Sequence, residues 1–134
     1  MKSVACSMCS TTIEIRDSRH LYCTTCSNLI RRLRLCITDD RDSNDGKRSS
    51  GISNVSLIPI VKLYRETQNC FYCGQSFSTE RPKQLDHKIS RARGGTNEID
   101  NISIACASCN HSKSGSSIDE WISVCARVLN ANPR

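Results

Sequence analysis

The residues best suited to chemistry lie between Cys70 and Lys113. Asp86 and His87 are adjacent. A neutral imidazole titrates close to physiological pH and can take a proton from water, while a carboxylate is a hard oxygen ligand for a divalent ion such as Mg2+ or Mn2+. Asn110 would offer the same ion a second oxygen, leaving water and substrate phosphate to fill the remaining positions. Hydrolysis of a phosphodiester needs a base to deprotonate water, a cation to neutralise the charge growing on the phosphate oxygens and a group that fixes the base. The dyad is bracketed by Cys70-Phe-Tyr-Cys73 and Cys106-Ala-Ser-Cys109, with 32 residues between the two pairs. Four thiolates at this spacing suit one closed, tetrahedral structural zinc, which would tie the intervening chain into a loop.

A second set of the same kind stands at the start of the chain: Cys6-Ser-Met-Cys9, thirteen residues, then Cys23-Thr-Thr-Cys26. Eight of the ten cysteines therefore fall in Cys-x-x-Cys pairs. Disulfide frameworks seldom pair neighbours so regularly, so zinc in a reducing, intracellular and cytoplasmic setting is the better reading. The opening residues do not read as a secretory signal and no apolar run reaches membrane-spanning length. Cys36 and Cys125 are left over, and both read as small buried side chains. His20 reads as a surface residue, since four cysteines already complete the first site.

The elements that must position these groups follow from local pattern. Thr11, Thr12, Ile13 and Ile15 are β-prone and leave room for a hairpin inside the first cysteine set. Ser27 or Asn28 can cap a helix in which Leu29, Leu33 and Cys36 recur at helical spacing. Arg31, Arg32 and Arg34 on its other faces either meet nucleic-acid phosphates or form a solvated surface. Nothing apolar occurs between Ile37 and Ile52, so residues 38–54 read as a flexible linker between an N-terminal zinc module over 1–37 and a second domain over 55–134. Ser56 can cap a short helix with Pro59 in its first turn. Gln84–Ile89 and Ile99–Ile104 alternate as short strands around a loop with Gly94 and Gly95, and a helix starting at Ala105 would carry Cys109, Asn110 and Lys113. Gly74 follows the knuckle where positive φ is wanted. Ser117 and Glu120 form a capping box ahead of Ile118, Trp121, Ile122, Cys125, Val128 and Leu129, the apolar stripe of a packing helix.

Cys-x-x-Cys-Gly, Asp-His, Gly-Gly, Asn, and Cys-x-x-Cys-Asn-x-x-Lys, in this order over residues 70–115, resemble the HNH endonucleases, whose active site is a ββα-metal (His-Me) finger. The resemblance does not reach the first 55 residues. It implies the ββα finger for this stretch; with the zinc ribbon or treble-clef-like module that the first cysteine set and the helix after it suggest, the expected fold class is α+β. The resemblance also implies a metal-dependent DNA endonuclease in which His87 activates water and Asn101, on the second strand, orients the His87 ring through its side-chain amide. Asp86 with Asn110 would hold the divalent ion. His111 takes the place of Asn110 if the helix register shifts by one, which would widen tolerance towards softer ions such as Ni2+. Lys113 matches the family lysine and, with Arg91 and Arg93, is the candidate for gripping phosphate. Small proteins of this build resemble those of phages and mobile elements.

The totals agree with a nucleic-acid partner without naming one. Of 19 basic and 13 acidic residues, giving a net charge of +6, both halves keep a basic excess, which suits a polyanionic partner; that this is double-stranded DNA is what the resemblance implies. With only two Phe, one Trp and three Tyr, burial alone leaves so small a fold marginal, and two zinc ions would supply what the core lacks. Two other readings remain at this level: a non-catalytic zinc protein that binds nucleic acid or a protein partner, and an RNA nuclease, since nothing in the motif reads the sugar.

Overall fold

The structure is a computed structural model that describes residues 1–17, 19, 21–38 and 54–134. His20 and nearly all of the expected linker, residues 39–53, lie outside the described residues. Two compact units divide at Lys62 and Leu63. The division falls inside a helix, later than the expected boundary at residue 54.

The first unit opens with β1 (Lys2–Ala5) and β2 (Thr12–Ile15), antiparallel and in register Lys2 to Ile15. The turn between them is the first knuckle, where Ser10 takes φ 62° and its N–H donates to the Cys6 carbonyl at 2.9 Å. Helix α1 (Thr24–Thr38) follows. It begins before the expected Ser27 cap because Cys23 does the capping: the Cys26 N–H points at the Cys23 sulfur, 3.4 Å away. Cys26, Leu33 and Ile37 on α1 are buried, and Cys36 is exposed rather than buried. Helix α2 (Asn54–Glu66) starts earlier than its Ser56 cap predicted. Pro59 therefore lies in its second turn, where the missing N–H costs one intrahelical bond.

The second unit is built on β3 (Lys83–His87) and β4 (Ile102–Cys106), antiparallel in the register Asp86 to Ser103 and His87 to Ile102. Every residue of β4 is buried. Helix α3 (Ala107–Lys113) packs against both strands, and α4 (Ile118–Ala131) follows through a short turn. Tyr64, at the end of α2, donates to the Lys83 carbonyl at 3.2 Å, and Lys83 Nζ donates back to the Tyr64 carbonyl at 2.7 Å, which anchors the start of β3. The strand–strand–helix order matches expectation, with shifted boundaries. Residues 99–101 form a 3-10 turn rather than the start of the second strand, and α3 starts at Ala107 because the Cys106 sulfur caps it through the Cys109 N–H.

The α4 cap is as the sequence implies: the Ser117 side chain accepts from the Glu120 N–H, and Glu120 accepts from the Ser117 N–H. Its apolar stripe is a correction. Trp121 is half-buried against Tyr72, edge-on with ring centroids 5.3 Å apart. Ile122, Val128 and Leu129 are each more than half exposed, and Cys125 is exposed too. A two-stranded sheet has too little surface to cover four helical turns.

Candidate active site

Each unit carries one four-cysteine cluster, Cys6, Cys9, Cys23, Cys26 and Cys70, Cys73, Cys106, Cys109, with the sulfurs of each set within 4.8 Å of one another. Four sulfurs about 2.3 Å from a tetrahedral zinc stand about 3.8 Å apart, and the Cys9 and Cys23 sulfurs are 3.7 Å apart. Both clusters fit structural zinc.

Their thiols are polarised before any metal is considered. Burial pushes Cys6 and Cys70 up, but backbone N–H groups outweigh it and hold each at about 6. Burial and the neighbouring thiols push Cys26 up to about 12 and Cys109 well above the thiol range. One thiolate is thus ready in each cluster, while the most shielded thiol gives up its proton only to a metal.

The second cluster sets the geometry around it. Gly74 takes φ 72° and its N–H donates to the Cys70 carbonyl at 2.9 Å, while the Phe71 N–H donates to Ile104 on β4 at 3.0 Å. This latches Tyr72 over the sheet, where its hydroxyl donates to Asp86 Oδ2. The same oxygen lies 3.4 Å from both Ser103 Oγ and Lys113 Nζ. Burial, then the bond to Asp86, pushes the Tyr72 hydroxyl above the usual phenol range, so it stays a donor.

Lys113 is fully buried. Its ammonium donates to the His87 carbonyl at 3.1 Å, pairs with Asp86 and lies 5.9 Å from the Tyr72 ring centroid. It is an internal strut, and the expected phosphate grip is corrected: a side chain without solvent access cannot reach a ligand. Arg91 and Arg93 stay at the surface, but Arg91 donates to the Gly95 carbonyl at 2.9 Å and Arg93 pairs with Glu120 at 2.9 Å.

His87 ends β3 on the face opposite Asp86. Its Nε2 lies 2.8 Å from Asn97 Oδ1. Asn101, the expected partner of His87, instead fastens the loop: Oδ1 accepts from the Ile89 N–H at 2.9 Å, and Nδ2 donates to the carbonyls of Ile89 at 3.0 Å and Thr96 at 2.8 Å. The 3-10 turn sets its side chain across the loop instead of along the strand. Gly95 is obligatory here, since a Cβ would stand 1.8 Å from the Ile89 carbonyl oxygen.

The donors expected to hold a divalent ion are only partly free. All three Asp86 contacts reach Oδ2, and Oδ1 receives none among the described residues. Asn110 donates through Nδ2 to Gln84 Oε1 at 2.9 Å, which leaves its own Oδ1 as an acceptor. His111 is exposed. Asp86 Oδ1 and Asn110 Oδ1 are oxygens of the type a hard divalent ion takes, but Asp86 is buried and the metal-ligand clusters among the described residues are the two cysteine sets.

Residues 70–116 match the family model described as HNH endonuclease. The matched segment, about a third of the chain, is similar to the HNH endonucleases. The HNH family is one of nucleases that act on nucleic acid, and the match ends beyond the last zinc cysteine and Lys113. No curated protein and no solved structure matches the chain. Tyr72 and Asn97 are the site residues that motif reading misses. Tyr72 had one visible signal, an aromatic between two zinc ligands. Lys113 had another, since it follows Cys109 by one helical turn and must share its inward face.

Proposed function

We propose that the chain is a metal-dependent endonuclease hydrolysing phosphodiester bonds in double-stranded DNA, with His87 as the base. The observation that carries this reading is His87 at the open end of β3, held by a side-chain oxygen at 2.8 Å, within a segment matching the HNH family. His87 takes a proton from water at its unbonded ring nitrogen. Asp86 and Asn110 hold one Mg2+ or Mn2+, His111 being the substitute for Asn110, and the ion when bound stabilises negative charge on the phosphate oxygens. Tyr72, Ser103 and Lys113 keep the Asp86 carboxylate fixed, and Lys113 also fixes the His87 carbonyl. The exposed Arg31 and Arg32 of α1 add sequence-independent affinity for the DNA backbone. In this reading residues 1–37 act as a separate zinc module carried by the linker over 38–54, and free zinc thiolates require a reducing compartment.

One observation favours a second reading, a non-catalytic zinc protein that binds nucleic acid. Asp86 is buried against a lysine ammonium, which lowers its affinity for a further cation. Incubating the zinc-loaded chain with duplex DNA, and with RNA of the same sequence, with and without Mg2+ or Mn2+, separates the readings. Cleavage of DNA only with the ion supports the proposal. Cleavage of RNA alone would move the substrate to RNA, and tight binding of either without any cleavage would support the non-catalytic reading.

A further inference from the structure

We infer that Asn97, a loop residue outside the HNH motif, is the positioning residue of His87, fixing its tautomer so that Nδ1 is the nitrogen that takes the proton. The inference rests on the nuclease reading for its catalytic half and on geometry alone for its structural half. Asn97 Oδ1 can only accept, so the His87 nitrogen 2.8 Å away must be the one carrying hydrogen. A neutral imidazole has one N–H. With that hydrogen committed to Nε2, the lone pair lies on Nδ1, whatever the substrate.

Asn97 is itself held. The carbonyl of Thr96, the peptide leading directly into Asn97, accepts from Asn101 Nδ2 at 2.8 Å, and Asn101 also holds both polar groups of Ile89. On the far side of the loop the Gly95 N–H donates to the Ser90 carbonyl at 2.9 Å and Arg91 donates to the Gly95 carbonyl. Asn101 therefore acts on His87 at one remove, through the backbone on either side of the loop, and Asn97 makes the contact. The loop is closed by Gly95, where no larger residue fits. Asn97 is only half-buried and packs in no core, so replacing it tests positioning without emptying the interior.

The experiment is nuclear magnetic resonance of the zinc-loaded full chain labelled with 15N and 13C in histidine, His87 being assigned by its loss in His87→Ala. The wild type is expected to show His87 as the Nε2–H tautomer, Asn97→Ala a mixture of tautomers, and Asn97→Asp, which keeps the acceptor oxygen, the wild-type tautomer. An Nδ1–H tautomer in the wild type, or an unchanged tautomer in Asn97→Ala, overturns the inference. In the cleavage assay Asn97→Ala should lower kcat about 10- to 100-fold, a share of what a well-placed base contributes, with KM unchanged and with recovery to within a few-fold in Asn97→Asp. A rise in KM alone would contradict a positioning role. Absence of cleavage by the wild type would overturn the nuclease reading, and the tautomer measurement would then decide the inference about Asn97 by itself.

Discussion

Replacing Lys113 with Met probes the least expected feature of the site. The ammonium is fully buried and holds the Asp86 carboxylate at 3.4 Å and the His87 carbonyl at 3.1 Å. Met preserves much of the aliphatic length but leaves a carboxylate that is 7 % exposed without its counter-charge. Removing one partner of a buried pair costs about 3–5 kcal/mol. Asp86 keeps Tyr72 and Ser103 as donors, so the lower end of about 3 kcal/mol applies. In a unit of this size that lowers Tm by about 12–24 °C. Trp121, the sole tryptophan, stacks edge-on against Tyr72, so its fluorescence during urea or thermal unfolding of the zinc-loaded protein reports on the right unit. Arg127→Met on the exposed face of α4 is the control and should stay within about 0.5 kcal/mol. Adding Asp86→Asn to Lys113→Met should recover part of the loss, because the charge left behind is gone. A loss below about 1 kcal/mol for Lys113→Met would mean that the ammonium lies in solvent, and the account of a buried strut would fail.

Three further outcomes follow from the same contacts. Tyr72→Phe removes a donor to a buried carboxylate and should cost about 1–3 kcal/mol in urea unfolding, whereas a hydroxyl already in water would cost almost nothing. Asn101→Ala should speed amide exchange across residues 88–97 while leaving β3 and β4 protected, because its bonds reach only that loop; uniform exchange throughout the second unit would refute that division. Zinc should stay bound as pH falls from 8 to 7 and be released at lower pH, as protons return first to the raised Cys26 and Cys109 thiols and last to the low-lying Cys6 and Cys70 thiolates. Spectroscopic zinc release already complete at pH 7 would contradict the assigned thiol directions.

Much of this was legible because it is local. Cys-x-x-Cys spacing specifies a knuckle within four residues, and the positive φ of Gly74 and the Ser117–Glu120 box need only their immediate neighbours. The strand–strand–helix order followed from apolar alternation and from the cysteines that close both ends. What stayed hidden depended on direction. Asn97 and Asn101 sit four residues apart around an irregular turn, and no periodicity says which of them points at the imidazole. The α3 helix has no apolar stripe to mark its inner side, so Lys113 read as a surface cation although the cysteine one turn before it faces the cluster. The reverse error arose at α4, where an apolar stripe implied packing. A pattern records which face prefers burial and not whether the chain has surface to cover it, and Cys36 and Cys125 were misread for the same reason.

The central claim is that His87 is the base of a phosphodiester hydrolysis. Its most direct test is the conversion of supercoiled plasmid with Mg2+ or Mn2+, comparing wild type and His87→Ala preparations that each hold two zinc ions per chain. The account predicts conversion by the wild type and a rate at least about 100-fold lower in the variant. Equal rates in the two proteins, with matched zinc content, would contradict it.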